Sequence, residues 1–132
     1  MNGVLVVDAS AIVATLVDDD ERGTAAANHM LGADLIAPDF VGYEVLNALR
    51  GLRTAKKLSR SAAEIAFRDW ARYEIDLWPL MTFADRLWQL TDNLTAYDAA
   101  YVSLAERLDV PLLTGDHRLA KAPGIRAEVL VI

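Results

Sequence analysis

The chain has no cysteine and only two histidines, His29 and His117, in 132 residues. Without cysteine there is no disulfide, zinc–thiolate site, iron–sulfur cluster or thiol nucleophile. Two histidines leave a zinc site little to bind with. No apolar run is long enough to span a bilayer. The N-terminal residues carry neither a basic segment nor a small-residue cleavage site, so the expectation is no signal peptide, no membrane association and a cytoplasmic protein. Positive charge is also scarce: 13 Lys and Arg stand against 19 Asp and Glu, a net charge of −6. That balance argues against broad electrostatic binding to nucleic acid.

What is present suits a packed core. The hydrophobic share is 54%, which excludes disorder, and 132 residues suit a single domain spanning 1–132. The charge is segregated. Arg50, Arg53, Lys56, Lys57 and Arg60 fall within one short stretch, while Asp18, Asp19, Asp20 and Glu21 form an acidic run. The Arg50–Arg60 segment reads as a local basic patch able to touch an RNA backbone, or equally as a solvated helix end.

Val4-Leu5-Val6-Val7 is an unbroken apolar run that ends in Asp8. It predicts a strand buried on both faces, as in the middle of a parallel sheet. Ser10 is expected to cap a short helix to Val17. A second helix is expected over Arg22–Leu31, with Gly32 as its stop. Leu35–Ala37 predicts a strand closed by Pro38. Asp39 then caps a helix over Phe40–Ala55, with an apolar stripe at Val41, Val45, Ala48, Leu49 and Leu52. Ser61-Ala62-Ala63-Glu64 fits a capping box for a helix to Tyr73. A strand follows at Ile75–Leu77. Thr82-Phe83-Ala84-Asp85 fits a second box, for a helix to Asn93. Thr95 caps a helix over Ala96–Leu108. Leu112–Thr114 and Glu128–Ile132 are strands, with a short helix or turn through Leu119 between them. Strands alternating with helices predict a three-layer α/β/α sandwich around a central parallel sheet.

Four acids fall where such a sheet gathers residues, at strand ends and helix starts: Asp8, Glu44, Asp98 and Asp116. Each has a purely structural alternative. Asp8 can cap a helix, Glu44 can be a boundary residue, Asp98 can complete a capping box with Thr95, and Asp116 can be a turn residue beside Gly115. Together they imply more. Two carboxylates about 5 Å apart repel by roughly 3 kcal/mol at an effective dielectric of 20, so such a cluster calls for protons or a cation. Oxygen-only ligands select Mg²⁺ or Mn²⁺. The matching chemistry is metal-assisted phosphodiester hydrolysis, which needs no nucleophilic side chain.

The series Val-Val-Asp8-Ala-Ser10, Tyr43-Glu44 with Asn47-Ala-Leu, Tyr97-Asp98-Ala-Ala-Tyr101 and Leu-Leu-Thr114-Gly-Asp116 resembles the PIN-domain nucleases. Among these it is most similar to the VapC toxins of bacterial toxin–antitoxin pairs. The resemblance covers nearly the whole chain. It implies an Mg²⁺- or Mn²⁺-dependent endoribonuclease, a homodimer, and a small VapB-like antitoxin whose C-terminal segment blocks the acidic cleft. It makes Asp8, Glu44, Asp98 and Asp116 the metal-binding and catalytic acids. Ser10 and Thr114 match supporting hydroxyl positions, although capping and strand-end bonding account for them equally. Asn47, one turn past Glu44, either points into the cleft or faces solvent. His117 reads as a solvated turn residue and Arg118 as a weak phosphate contact. Trp70, Trp78 and Trp88 read as core or dimer contacts.

Two other classes remain open on sequence. One is a catalytically silent PIN fold that only binds protein or RNA. The other is a phosphoryl-transfer domain of the haloacid-dehalogenase or receiver type. That type also puts an Asp after the first strand, but this chain has Ser10 where a dehalogenase expects a second Asp. It also lacks the acidic pair of a receiver.

Overall fold

The computed structural model describes residues 3–132. Val4–Val7 forms β1, and Leu5, Val6 and Val7 are buried. The elements that follow are α1 (Ala9–Val17), α2 (Glu21–Met30), β2 (Asp34–Pro38), α3 (Val41–Thr54), α4 (Arg60–Trp70) and β3 (Ile75–Trp78). Then come α5 (Ala84–Leu90), α6 (Ala96–Leu108), β4 (Leu112–Thr114), α7 (His117–Ala120) and β5 (Val129–Val131).

The five strands form one sheet in the order β3-β2-β1-β4-β5, and every pairing is parallel. This order differs from the 2-1-3-4-5 order of receiver domains. The apolar run before Asp8 therefore lies at the centre, as a strand buried on both faces requires. Helices α1 to α4 pack against one another, and α5 packs against α6. α6 lies across β1, β2 and β4 and is buried without a break from Ala99 to Ala105. Its alanines let the helix approach the sheet closely. The result is the expected α/β/α sandwich. Ile12, Val6, Val7, Val102, Leu104, Leu112 and Leu113 are fully enclosed, and each such side chain contributes about 1.5–3 kcal/mol by leaving water.

The sheet topology sets the place for chemistry. From β1 the chain moves to β2 on one side. It later returns past β1 to β4 on the other. β1 and β4 are therefore neighbours whose connections depart in opposite directions, a topological switch point. Asp8 follows β1, and Gly115-Asp116 follow β4.

Several helix starts differ from expectation. Asp39 does not cap α3. Its N–H donates to Trp78 O at 3.0 Å, so its backbone still serves the sheet. The helix begins after Phe40, with no side-chain cap. α4 is capped by Ser59 rather than Ser61: Ala62 N donates to Ser59 Oγ at 3.1 Å. Lys56, at φ 59°, reverses the chain early enough for that start. The Thr82–Asp85 capping box does not form. Leu80–Thr82 tightens into a 3₁₀ turn, and α5 starts after Phe83 without a side-chain cap. The Gly32 stop is present, at φ 70° in the left-handed region.

Candidate active site

Asp8 does two jobs. It is the N-cap of α1, its Oδ1 accepting from Ala11 N at 3.1 Å. This corrects the sequence expectation, which gave the cap to Ser10. The helix starts at Ala9, so Ser10 is already inside it. The Ser10 hydroxyl instead donates to Asp8 Oδ1 at 2.5 Å and accepts from Gly115 N at 2.8 Å. From β4, Thr114 Oγ1 donates to Asp8 Oδ2 and accepts from Asp116 N at 3.0 Å. Two hydroxyls thus fix one carboxylate and tie the ends of β1 and β4 together. Asp8 is only 7% exposed, and Thr114 is fully buried.

Gly115 leaves the room that the Arg22 guanidinium fills. A Cβ there would lie 2.1 Å from Arg22 Nη2 and 3.2 Å from Ser10 Oγ. Arg22 spans the gap, donating to Gly115 O at 3.2 Å and to Asp18 Oδ2 at 3.4 Å. The loop after β4 is thereby held against the loop after α1.

Glu44 lies in the first turn of α3, on the face turned toward α6. Tyr101 OH donates to its Oε1 at 2.5 Å. Tyr101 is buried, and Phe40 meets its ring edge-on at 5.5 Å. Asp98 lies in the first turn of α6, where its own N–H donates to Thr95 Oγ1 at 3.2 Å. The backbone half of the expected capping box is therefore made. Asp116 caps α7 through Arg118 N at 2.9 Å. The Arg118 guanidinium also grips it at two points, Nε to Oδ1 at 3.1 Å and Nη2 to Oδ2 at 3.0 Å.

The charges of the four acids reach one another. Burial pushes Asp8 above the usual carboxylate range against its hydroxyl donors, with the Asp98 charge adding to the rise. Glu44 is pushed up first by burial, then by Asp8 and Asp98, while Tyr101 opposes. Asp98 is pushed up by burial and by Asp116. Asp116 is the exception, held below its ordinary value by the Arg118 hydrogen bonds. Tyr101 is driven up by burial and by Glu44, so its hydroxyl stays protonated and donates.

The donor set is all carboxylate oxygen, which fits a hard divalent cation such as Mg²⁺ or Mn²⁺. Among the described residues, no three of these groups already stand at chelating distance. Like charges hold apart, and Arg118 occupies both oxygens of Asp116. The Arg118 guanidinium is exposed and can swing away, which leaves Asp116 bound only by its cap bond from Arg118 N.

The other sequence candidates are placed elsewhere. Asn47 and His117 are exposed. Trp88 is 76% exposed, and Trp70 and Trp78 are half-buried against the core. Arg50, Arg53 and Arg60 line a groove between α3 and α4 with Glu64 and Phe67. Arg53 lies roughly 14 Å farther along α3 than Glu44, at 1.5 Å per residue, in the last turn of the helix whose first turn carries the acid. The sequence motifs contain Tyr101 but do not identify it as the partner of Glu44. Its spacing from Asp98, three residues on one helix face, was the available signal. Arg22 carried no signal at all.

The PIN domain family model matches residues 5–125. A VapC ribonuclease of Mycobacterium bovis is 33% identical over 130 residues, covering 98% of each chain. Ribonuclease VapC1 of Mycobacterium tuberculosis is 39% identical over 129 residues, covering 96% of each. Among solved structures, PAE2754 of Pyrobaculum aerophilum has a TM-score of 0.66 at 24% identity, covering 96% of this chain and 92% of that one. VapBC2 of Rickettsia felis, solved bound to a fragment of its promoter DNA, has a TM-score of 0.64 at 11% identity, covering 96% and 98%. With the parallel sheet and the family model in agreement over nearly its whole length, this chain belongs to the PIN-domain family.

Proposed function

We propose that this chain is a metal-dependent endoribonuclease, the toxin of a toxin–antitoxin pair, acting as a single nuclease domain. The observation that carries the reading is the placement of four acids at strand ends and helix starts around the β1–β4 switch point, in a chain whose relatives are ribonucleases. Asp8, Glu44, Asp98 and Asp116 would hold Mg²⁺ or Mn²⁺, with substrate phosphate and water completing the coordination. An ion held by these acids would supply an activated water and charge stabilisation for phosphodiester hydrolysis.

The chain's own residues do the rest. Ser10 and Thr114 orient Asp8, since each donates a hydrogen bond to the carboxylate and accepts one from a backbone N–H. Tyr101 orients Glu44 by donating its hydroxyl hydrogen bond to Oε1. These hydroxyl hydrogen bonds favour the charged carboxylates and oppose the upward push of burial. Arg118, once released from Asp116, lies at the rim where an RNA phosphate arrives.

RNA is the substrate in this reading. A VapB-like antitoxin is the partner, its C-terminal segment covering the acidic cleft. The active form is a homodimer in the cytoplasm. The test is cleavage of a labelled RNA by purified protein freed of any antitoxin. Cutting is expected with Mg²⁺ or Mn²⁺ and is expected to stop with EDTA. Cutting that persists in EDTA contradicts the metal reading, and no cutting with either ion favours a silent binding module.

A further inference from the structure

Two tyrosines one helical turn apart on α6 have opposite surroundings. Tyr101 is buried and bonded to Glu44. Tyr97 is 60% exposed and immediately precedes Asp98. Phe40 joins the two rings. Its ring meets Tyr97 at 5.3 Å and 85°, and Tyr101 at 5.5 Å and 79°. An aromatic row therefore runs from the Glu44 hydrogen bond out to solvent, and it ends in the exposed Tyr97 ring, one residue before Asp98.

Tyr97 is a poor investment as core. Most of its surface stays in water, and α6 is already secured by the Thr95 cap and the buried stretch Ala99–Ala105. Its orientation is nonetheless fixed, because edge-on contact with Phe40 restrains the ring before any ligand arrives. A restrained, exposed aromatic face loses little conformational entropy on stacking.

The electrostatics say what such a face is for. The chain carries a net charge of −6, and its acids cluster at this edge. The Arg50–Arg60 cations lie toward the other end of α3. An RNA strand reaching Asp8 meets Arg22 and Arg118, both engaged with acids, beside a surplus of carboxylates, so contacts that do not depend on charge add to its binding. Base–aromatic stacking is such a contact, worth about 1–3 kcal/mol per base.

We infer that Tyr97 is a stacking platform for one unpaired base next to the phosphodiester that is cut. The inference rests on the ribonuclease reading above and narrows the substrate class to RNA whose bases beside the cut are unpaired. A base inside a duplex offers no free face to the ring.

The experiment uses the full-length protein and a short single-stranded RNA that it cuts, with the cut site mapped. Tyr97→Ala is expected to raise KM roughly tenfold or more while kcat changes little, and Tyr97→Phe to restore the wild-type KM. Placing an abasic nucleotide at each position flanking the cut should reproduce that loss at one position in the wild type. At that position the abasic change should cost Tyr97→Ala nothing further. Equal KM for Tyr97→Ala and wild type overturns the inference, as does an abasic penalty that is the same in both proteins. Absence of cutting by the wild type on any single-stranded RNA overturns the ribonuclease reading itself, and this inference with it. Thermal melting of Tyr97→Ala should match the wild type, since the ring is mostly in solvent.

Discussion

Asp8 and Asp116 follow neighbouring strands and are both helix caps, yet they are held in opposite ways. Asp8 is enclosed and bound by two neutral hydroxyls and a backbone N–H. Asp116 is at the rim and bound twice by a guanidinium. Burial raises the first above the carboxylate range, and the arginine lowers the second. Hydroxyls orient a carboxylate without cancelling its charge, whereas a guanidinium cancels it. Glu44, held by Tyr101, behaves like Asp8. The inner acids are thus preorganised and uncompensated, while the outer one carries its own removable cation.

The largest expected break in this comparison is Asp8→Asn. Asparagine caps a helix as well as aspartate does, so circular dichroism should be unchanged. RNA cleavage should fall by about a thousandfold or more, the scale of several kcal/mol of charge stabilisation. Full activity would show that the cluster is misassigned.

Next in size is Tyr101→Phe, which keeps the ring against Phe40 and removes only the bond to Glu44. Hydrogen bonds to charged groups are worth about 1.5–3 kcal/mol, so cleavage should drop roughly tenfold or more, and Mn²⁺ affinity with it. An unchanged rate would make Glu44's partner dispensable.

Arg118→Ala acts on the other acid and in the other direction. It should raise the Asp116 pKa toward its ordinary value, read by carboxyl NMR titration, and tighten Mn²⁺ binding a few-fold. The pair is exposed, so the effect is small. Weaker Mn²⁺ binding would mean that the arginine supports the ion rather than competing with it.

The smallest effect is on stability. Asp8, Glu44 and Asp98 have raised folded-state pKa values, so the folded chain holds more protons than the unfolded one over the range between the two sets. Their contribution to stability therefore grows as pH falls from neutral toward ordinary carboxylate values. Asp116 contributes the opposite sign, its stability being lost as pH falls through its lowered value. Asp98→Asn should then raise the melting temperature of metal-free protein at pH 7 by a few degrees, about 1 kcal/mol at this size. A lower melting temperature would show that the Asp98 charge is compensated.

The fold was legible because its signals are long. The β1 run, the stripe of α3 and the Ala-rich stretch of α6 each have one physical solution in a parallel sheet. Helix caps were less legible, because neighbouring polar residues compete and tertiary pairing decides. Asp8 and Ser10 are both good caps, as are Ser59 and Ser61, and Asp39 lost its role to the sheet pairing with Trp78. The acids were legible as strand ends and helix starts. Their partners were not, because the Tyr101–Glu44 bond joins residues 57 positions apart. The Arg118–Asp116 grip depends on rotamers that sequence does not specify.

The most direct test is Mn²⁺ binding to RNA-free protein at pH 7, followed by electron paramagnetic resonance, in the wild type and Asp8→Asn. Saturable binding in the wild type, weakened at least tenfold in the variant, is predicted. Failure of the wild type to bind Mn²⁺, or equal binding by both proteins, would contradict a metal centre built on Asp8.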